Sequence, residues 1–341
     1  MLETLEAFTP DDKALRVVEA DPAIEEHRNV VYVPFRGWEL DFDPCWGLYG
    51  SDGKLIEAAA YRRGPGRLLV GQSAEIAIPA AEIESAPEEH YVIAGPLLFQ
   101  YGHFLLTSFS RLWSRFEARE RFAWFCHAPL EVLPRTPHVG AVLAGLGLLP
   151  GQFRRFTKPT RISRATVVAP SFQEDFSVHR AFERVSRRVG EFFAPAMDVG
   201  PRAPAYLTRT GLRHGVKAVA NEGEICAALA RYGVEIVEPE ALPFAEQVRL
   251  FGTDRVIMGV AGSAFHSAVF APKRSRLIAI EMKDSPNQWL LNRLSGVRML
   301  HLRPRAEVPF AFGAGPIETV YTFPEPVKVA RDLLRAAQMF G

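Results

Sequence analysis

Apolar residues in the last third of the chain fall in short blocks that alternate between two periods. Continuous apolar runs such as "RVIMGV" (Arg255 to Val260) and "RLIAIE" (Arg276 to Glu281) read as strands buried on both faces. Segments with apolar residues three and four apart, such as "LPFAEQVRLFG", read as amphipathic helices. The order is strand "AYLTR", helix "NEGEICAALARYG", strand "VEIVEP", helix "LPFAEQVRLFG", strand "RVIMGV", short helix "SAFHSAVFA", strand "RLIAIE", helix "PNQWLLNRLSG" and strand "VRMLHL". Strict alternation with short links predicts right-handed crossovers and a parallel sheet covered on both faces.

The first part is less regular. "NVVYVPF" reads as extended, Ser51-Asp52-Gly53 as a hairpin turn, "HYVIAG" as a strand, "RFAWFCHA" as another, and "PHVGAVLAGLGL" as a helix. Between "HYVIAG" and "RFAWFCHA", Gln100 to Phe116 reads as a helix whose buried face is Leu105, Phe109, Leu112 and Phe116. From Pro150 to Pro204 the pattern loosens to one extended run, "ISRATVVAP", and one amphipathic helix, Val178 to Phe193, which reads as an inter-domain connection. The expected fold class is α/β, with two Rossmann-like domains facing a cleft. The N-terminal α/β domain with its hairpin region is expected over residues 1–160, the connection over 161–203 and the C-terminal Rossmann-like domain over 204–325. The terminal helix, 326–341, has an apolar face (Val329, Leu333, Leu334) expected to return to the first domain.

Composition narrows the function classes. The 341 residues suit two globular units, and 48% hydrophobic with 23% charged residues exclude disorder and coiled coil. Forty basic residues against thirty-nine acidic ones leave a charge of +1, so no global field draws the chain to nucleic acid or an anionic membrane. Cys45, Cys126 and Cys226 are scattered and lack CxxC spacing, which indicates neither a disulfide framework nor a zinc site. The start, "MLETLEAFTPDDK", is acidic and unlike a signal peptide, and "AVLAGLGLL" is about half the length that spans a bilayer. A cytoplasmic protein without a transmembrane anchor is expected.

In open parallel sheets, ligands bind beyond the carboxyl ends of the strands. In "GVAGSAFHSAVF" a buried strand breaks at Ala261-Gly262-Ser263 and a helix starts at once. Gly262 allows close backbone approach, Ser263 can cap, and the amides through Ala264 and Phe265 form an anion seat suited to a diphosphate. A tight turn with His266 packed underneath explains the same pattern, which is neither GxGxxG nor a P-loop. Arg209 ends the domain's first strand, with Arg213 and His214 just beyond; it either grips phosphates bidentately or is an exposed strand-end arginine. The loop "EPEALPFAEQ", including Glu238 and Leu242, either holds a nucleobase against its backbone or only caps the next helix. Glu281 ends its strand and either bonds a ribose diol or pairs with Lys283 or Arg293. Asp41-Phe42-Asp43 spells DxD but sits in a Pro-flanked turn, so it reads as solvated loop and no metal is expected. His103 lies in the first turn of its helix, where the dipole disfavours imidazolium and keeps the ring able to accept a proton. A packing histidine beside an apolar face is the alternative.

Together these segments resemble glycosyltransferase family 61, whose bacterial members are often described as capsular polysaccharide biosynthesis proteins. "YGHFLLTSFSRLW" is similar to the family's Gly-His-Phe element before a helix ending in Arg-Leu-Trp. "YLTR" followed by "NEGEICAAL" is similar to its Tyr-Ile-Ser-Arg strand and Asn-Glu helix start. "GVEIVEPEALPFAEQVRLFGTDRVIMGVAGSAFHSAVFAP", with "IAIE" after it, follows the family signature almost position by position. The resemblance runs from His90 to Glu281. Many members carry a histidine directly before the glycine of the third motif; Ala261 stands there in this chain, which instead looks like the bacterial variant Gly-Ser-x-x-His with Ser263 and His266.

The resemblance implies a GT-B fold and inverting, metal-independent transfer of a sugar from a nucleotide-sugar donor to a hydroxyl. It implies no cofactor beyond that co-substrate, with a UDP-sugar the expected donor. A glycan or lipid-linked glycan is the expected acceptor, in bacterial capsule, exopolysaccharide or lipopolysaccharide synthesis, and peripheral membrane contact stays open. Such a site must deprotonate the acceptor hydroxyl and stabilise the departing diphosphate. His103 is the expected base, with a phosphate contact or acceptor positioning as the open alternatives, and Arg209 with the amides of Ser263 to Phe265 is the expected diphosphate grip. Two other classes compete: a catalytically silent glycan- or nucleotide-binding protein, favoured by Ala261, and a nucleotide-sugar epimerase of the GT-B type.

Overall fold

A computed structural model describes residues 2–34, 46–68, 72–114, 116, 119–125, 136–194, 202–212, 215–271, 275–313 and 317–340. The chain is α/β and divides into two compact units, Lys13–Phe192 and a second made of Met1–Asp12 with Phe193–Gly341. Strand β1 (Leu5–Ala7), at the very start, thus belongs with the end of the chain.

The Lys13–Phe192 unit is built on a mixed sheet. Its strands are β2 (Ile24–Val33), β3 (Gly47–Tyr49), β4 (His90–Pro96), β5 (Phe122–Phe125), β6 (Phe153–Arg154) and β7 (Thr160–Val168), in the order β6-β5-β4-β7-β2-β3. β7 runs parallel to β4 and antiparallel to β2, so "ISRATVVAP" is a central strand and not part of a connection. Residues 161–203 therefore do not form the expected linker. Their loose pattern has a physical source: β7 buries Ile162, Ala165, Val167 and Val168 but leaves Arg161, Ser163 and Arg164 exposed. The sheet is parallel only on the β4 to β6 side, so this unit departs from a uniform Rossmann-like sheet. Helices α1 (Pro137–Gly145) and α2 (Arg180–Phe193) match the expected helices, although His179 and the two residues before it form a short strand. The hairpin at Ser51-Asp52-Gly53 is present, with Gly53 at φ +80° and the Gly50 amide bonded to the Lys54 carbonyl at 2.8 Å.

The segment after β4 is shorter than expected. It is α-helical over Tyr101–His103, widens to a π-helix over Phe104–Ser108 and tightens to a 3-10 turn over Phe109–Arg111. Every residue from Phe104 to Leu112 is buried, so burial runs all round this segment and is not confined to one stripe. Leu105, Phe109 and Leu112 pack inside as expected, whereas Phe116 is only partly buried and lies beyond the helix.

The second unit carries the parallel sheet that the alternation predicted. Its elements are β8 (Ala205–Leu207), β9 (Gly215–Val219), α3 (Glu222–Ala230), β10 (Glu235–Val237), α4 (Phe244–Phe251), β11 (Val256–Val260), β12 (Arg276–Ile280), α5 (Pro286–Ser295), β13 (Arg298–Pro304), β14 (Phe310–Phe312), β15 (Ile317–Tyr321) and α6 (Pro326–Phe340). The sheet order is β1-β13-β12-β11-β8-β10, and all of its strands except β1 are parallel. Within the parallel part the first strand, β8, lies between the second, β10, and the third, β11. The strand order therefore reverses between β8 and β11, the topological position at which open α/β sheets bind ligands. β9 pairs with β15 and β15 with β14 in a separate small sheet that the alternation did not predict.

The terminal helix stays in its own unit. Val329, Leu333 and Ala336 of α6 pack with Ile225 and Leu229 of α3 and with Ile278 of β12, which corrects the expected return to the first domain. Asp332 explains why β1 joins them: its buried carboxylate accepts the amides of Glu3 (2.8 Å), Thr4 (2.6 Å) and Leu5 (2.9 Å). Burial opposes the charge, but these amide bonds outweigh it and hold the carboxyl below its ordinary range. No helix among the described residues is long and apolar enough to cross a membrane.

Candidate functional site

The strand end at the reversal point is held by a clamp of motif residues. Glu222, at the start of α3, is fully buried; one carboxylate oxygen accepts the Tyr206 hydroxyl at 2.9 Å and the other accepts the Arg209 amide at 2.8 Å. Burial raises the Glu222 carboxyl, with the Arg209 amide and Tyr206 hydroxyl pulling against it. Asn221 bonds the Phe323 carbonyl (2.7 Å) and amide (3.1 Å), which ties the same helix start to the chain after β15. Thus Tyr206, Arg209, Asn221 and Glu222, separated in sequence, form one rigid corner.

From that corner the Arg209 side chain runs beneath the turn after β11. Its Nη1 donates to the Lys217 carbonyl at 3.1 Å. Its Nη2 lies where a side chain on Gly262 would go: a Cβ added there would sit 2.1 Å away. Gly262 is extended, so the requirement for glycine is close approach and not backbone strain. Burial lowers the Arg209 pKa against opposition from Glu222, and a guanidinium keeps its charge all the same.

Lys217 is a neighbour of Arg209 that sequence reasoning missed. It shares a face of β9 with Val219, which is buried in the core, so its side chain starts inward. Burial, then repulsion from Arg209 and Lys283, lowers its pKa, against a smaller pull from Glu281. Lys217 is thus within electrostatic reach of Arg209 and Lys283, and its carbonyl holds the Arg209 guanidinium. The signal that would have found Lys217 is the pairing of β9 with β15, which no local pattern announces.

The turn itself differs in detail from the expectation. Residues Ser263–Phe270 form a 3-10 helix capped by Gly262, and Ser263 makes no side-chain cap. The Phe265 amide donates to the Gly262 carbonyl at 3.0 Å, and the Phe265 ring is buried in the core, so Phe265 drops out of the expected anion seat and only the amides of Ser263 and Ala264 stay candidates for it. His266 Nδ1 lies 2.8 Å from Gln288 Oε1. Around "EPEALPFAEQ", Gln247 Nε2 donates to the carbonyls of Pro239 (2.8 Å) and Leu242 (3.1 Å), which ties the loop to α4, while no side chain caps the start of that helix. Glu238 stays exposed beside Gly211.

Glu281 does not stand open at its strand end. Its side chain is 1% exposed and is turned inward onto His301 Nδ1 and Trp289 Nε1 (3.1 Å), and Arg293 pairs with Asp12 instead. The alternative pairs to Lys283 or Arg293 do not form. Arg213, His214 and Asp41-Phe42-Asp43 lie outside the described residues. Among the described residues no group of three or more His, Cys, Asp or Glu is gathered as metal ligands would be.

His103 lies in the Lys13–Phe192 unit, in the first turn after Gln100 as expected. Its side chain is 45% exposed, and Nδ1 stands 3.7 Å from Glu174 Oε1. Glu174, 3% exposed, occupies a hairpin turn whose next residue, Asp175, adopts φ +58°. Its Oε1 accepts the hydroxyls of Tyr61 (2.8 Å) and Thr107 (3.1 Å), and Arg63 Nε lies 3.6 Å from Oε2. Burial alone would raise the Glu174 carboxyl, but His103, Tyr61 and Arg63 outweigh it and hold it at about 2. The His103 ring thus has beside it a carboxylate that its place in the sequence does not announce. Burial, then the Glu174 charge, pushes the Tyr61 phenol far above its ordinary value.

Other motif residues prove structural. Arg111 is buried, with Nη1 donating to the Ala58 (2.6 Å) and Val168 (2.7 Å) carbonyls and Nη2 to Ala60 (2.7 Å). Trp113 Nε1 donates to the Ala169 carbonyl at 2.8 Å.

No curated protein matches the chain. The family model described as Glycosyltransferase 61 matches residues 101–278, a span that holds His103, Arg111, Arg209, Glu222 and Gly262 and covers just over half of the sequence. The corner at the reversal point, the His103 turn and this match lead to one assignment: the chain belongs to glycosyltransferase family 61, and that membership implies glycosyl transfer.

Proposed function

We propose that the chain is an inverting, metal-independent glycosyltransferase of the GT-B type that moves a sugar from a nucleotide-sugar donor to a glycan hydroxyl. The observation that carries this reading is the cationic corner at the sheet's reversal point, where Arg209 lies against a glycine that only a missing Cβ lets it approach. Arg209, Lys217 and the amides of Ser263 and Ala264 hold the donor diphosphate. When the acceptor oxygen attacks the anomeric carbon, its proton passes to the His103 ring. The bond from that carbon to the phosphate oxygen breaks, and the electron pair leaves on the nucleoside diphosphate. Cations fixed at that oxygen favour the transition state because negative charge grows there as the bond breaks.

A UDP-sugar donor, a glycan or lipid-linked glycan acceptor, and a role in bacterial capsule, exopolysaccharide or lipopolysaccharide synthesis at the cytoplasmic side complete the proposal. A silent nucleotide- or glycan-binding protein is the second reading, favoured by Ala261. Thermal shift with UDP-, GDP-, CMP- and dTDP-sugars, followed by nucleotide release with and without acceptor glycans, separates them. Stabilisation with acceptor-dependent release is the expected result; stabilisation without release supports the silent binder, and no stabilisation by any donor removes both nucleotide readings.

A further inference from the structure

We propose that Glu174 is the positioning residue for His103, fixing the imidazole with its proton on Nδ1 and so leaving Nε2 to accept the proton of the acceptor hydroxyl. The catalytic half of this inference rests on the reading of His103 as the base of a transferase. Its structural half stands on the geometry alone.

Glu174 lies 71 positions after His103 in the chain and comes from a hairpin turn, yet its Oε1 lies 3.7 Å from His103 Nδ1. The carboxylate is not free to swing, because Tyr61 and Thr107 donate to the same oxygen and Arg63 lies near the other. Arg63 is in turn fixed to Asp175 at 2.7 Å, and Gln173 Nε2 bonds the Gly64 carbonyl at 2.6 Å, so the turn is stapled on both sides of Glu174. An ionised carboxylate is an acceptor only. The ring nitrogen facing it must therefore carry the proton, and in the neutral ring the other nitrogen then holds the lone pair.

The 3.7 Å separation is longer than a hydrogen bond, as catalytic contacts often are before substrate binds. Burying a charge is costly, and a turn needing only packing would be served as well by an apolar residue. His103 supplies what packing does not explain: it is the imidazole of the cluster, and its side chain is nearly half exposed.

Two readouts test the pairing. In protein labelled with 15N-histidine, long-range proton–nitrogen spectra report which nitrogen of His103 is protonated, with His103→Gln identifying its signals. The wild-type ring is expected as the Nδ1–H tautomer. Glu174→Gln, which keeps an oxygen for Tyr61 and Thr107, is expected to lose that preference and to lower kcat on the order of 10²-fold or more with donor KM nearly unchanged. Glu174→Asp is expected to restore the tautomer and part of kcat. An Nε2–H ring in the wild type, or a Glu174→Gln variant with unchanged tautomer and kcat, overturns the proposal. A wild-type protein with the Nδ1–H ring but no transfer activity supports the pairing and counts against the transferase reading instead.

Discussion

Arg111 in one unit and Arg209 in the other are both enclosed arginines laid against a glycine. A Cβ on Gly95 would fall 2.5 Å from the Arg111 side chain, and one on Gly262 would fall 2.1 Å from that of Arg209. Their hydrogen bonds separate them. Arg111 closes on the carbonyls of Ala58, Ala60 and Val168, three main-chain acceptors that would otherwise be stranded in the core. Arg209 gives one such bond, to Lys217, and extends the rest of its guanidinium under a turn at the end of a parallel sheet, against Gly262. The lesson is that enclosure and a glycine neighbour do not mark function. The destination of the donors separates the two: three backbone carbonyls for Arg111, and a single one for Arg209, whose Nη2 lies against Gly262 instead.

The largest expected effect follows from the staple. Arg111→Ala strands three buried carbonyls and opens a cavity, so it should destabilise the protein by about 4 kcal/mol or more, seen as a large fall in melting temperature or loss of soluble protein. Burial has already pushed the Arg111 pKa down to about 10, the direction expected of a charge held by dipoles alone. Arg209→Ala should do the reverse. It should lower kcat/KM on the order of 10² to 10³-fold while costing about 1 kcal/mol of stability, because one carbonyl bond is lost. If Arg209→Ala unfolds the protein and Arg111→Ala spares it, the contrast is inverted.

A smaller effect is expected at Lys217. The lysine binds an anion only when protonated, and its pKa lies below the ordinary value of 10.5. Nucleoside diphosphate affinity should therefore hold at low pH and fall as pH rises through that lowered value, earlier than an ordinary lysine would allow. Lys217→Met should weaken binding about tenfold at neutral pH and remove this fall, which calorimetric titrations across pH would detect.

Legibility in the sequence followed locality. The parallel sheet could be read because each strand and helix of the second unit declares itself over a few residues: Val256 to Val260 is a single apolar run and α4 has a clear amphipathic period. The pairing of Leu5–Ala7 with β13 was not legible, since three residues carry no period and their partners lie some three hundred positions away. Arg209 and Glu281 looked alike as charged residues at strand ends. Only the placement of His301 and Trp289 shows that Glu281 turns inward. His103 could be singled out from its turn, but Glu174 and Tyr61 could not, because ordinary polar residues in loops gain meaning only when the fold brings them to one imidazole.

The central claim is that the corner formed by Arg209 and Gly262 holds the diphosphate of the donor. Its most direct test is isothermal titration of UDP, GDP and dTDP into the wild type and Gly262→Ala, with melting temperatures measured alongside. The added methyl group would displace the Arg209 guanidinium, so at least one diphosphate should bind the wild type and bind Gly262→Ala at least about tenfold more weakly, with little change in melting temperature. Equal affinity in the two proteins, or no diphosphate binding to the wild type, would contradict the account.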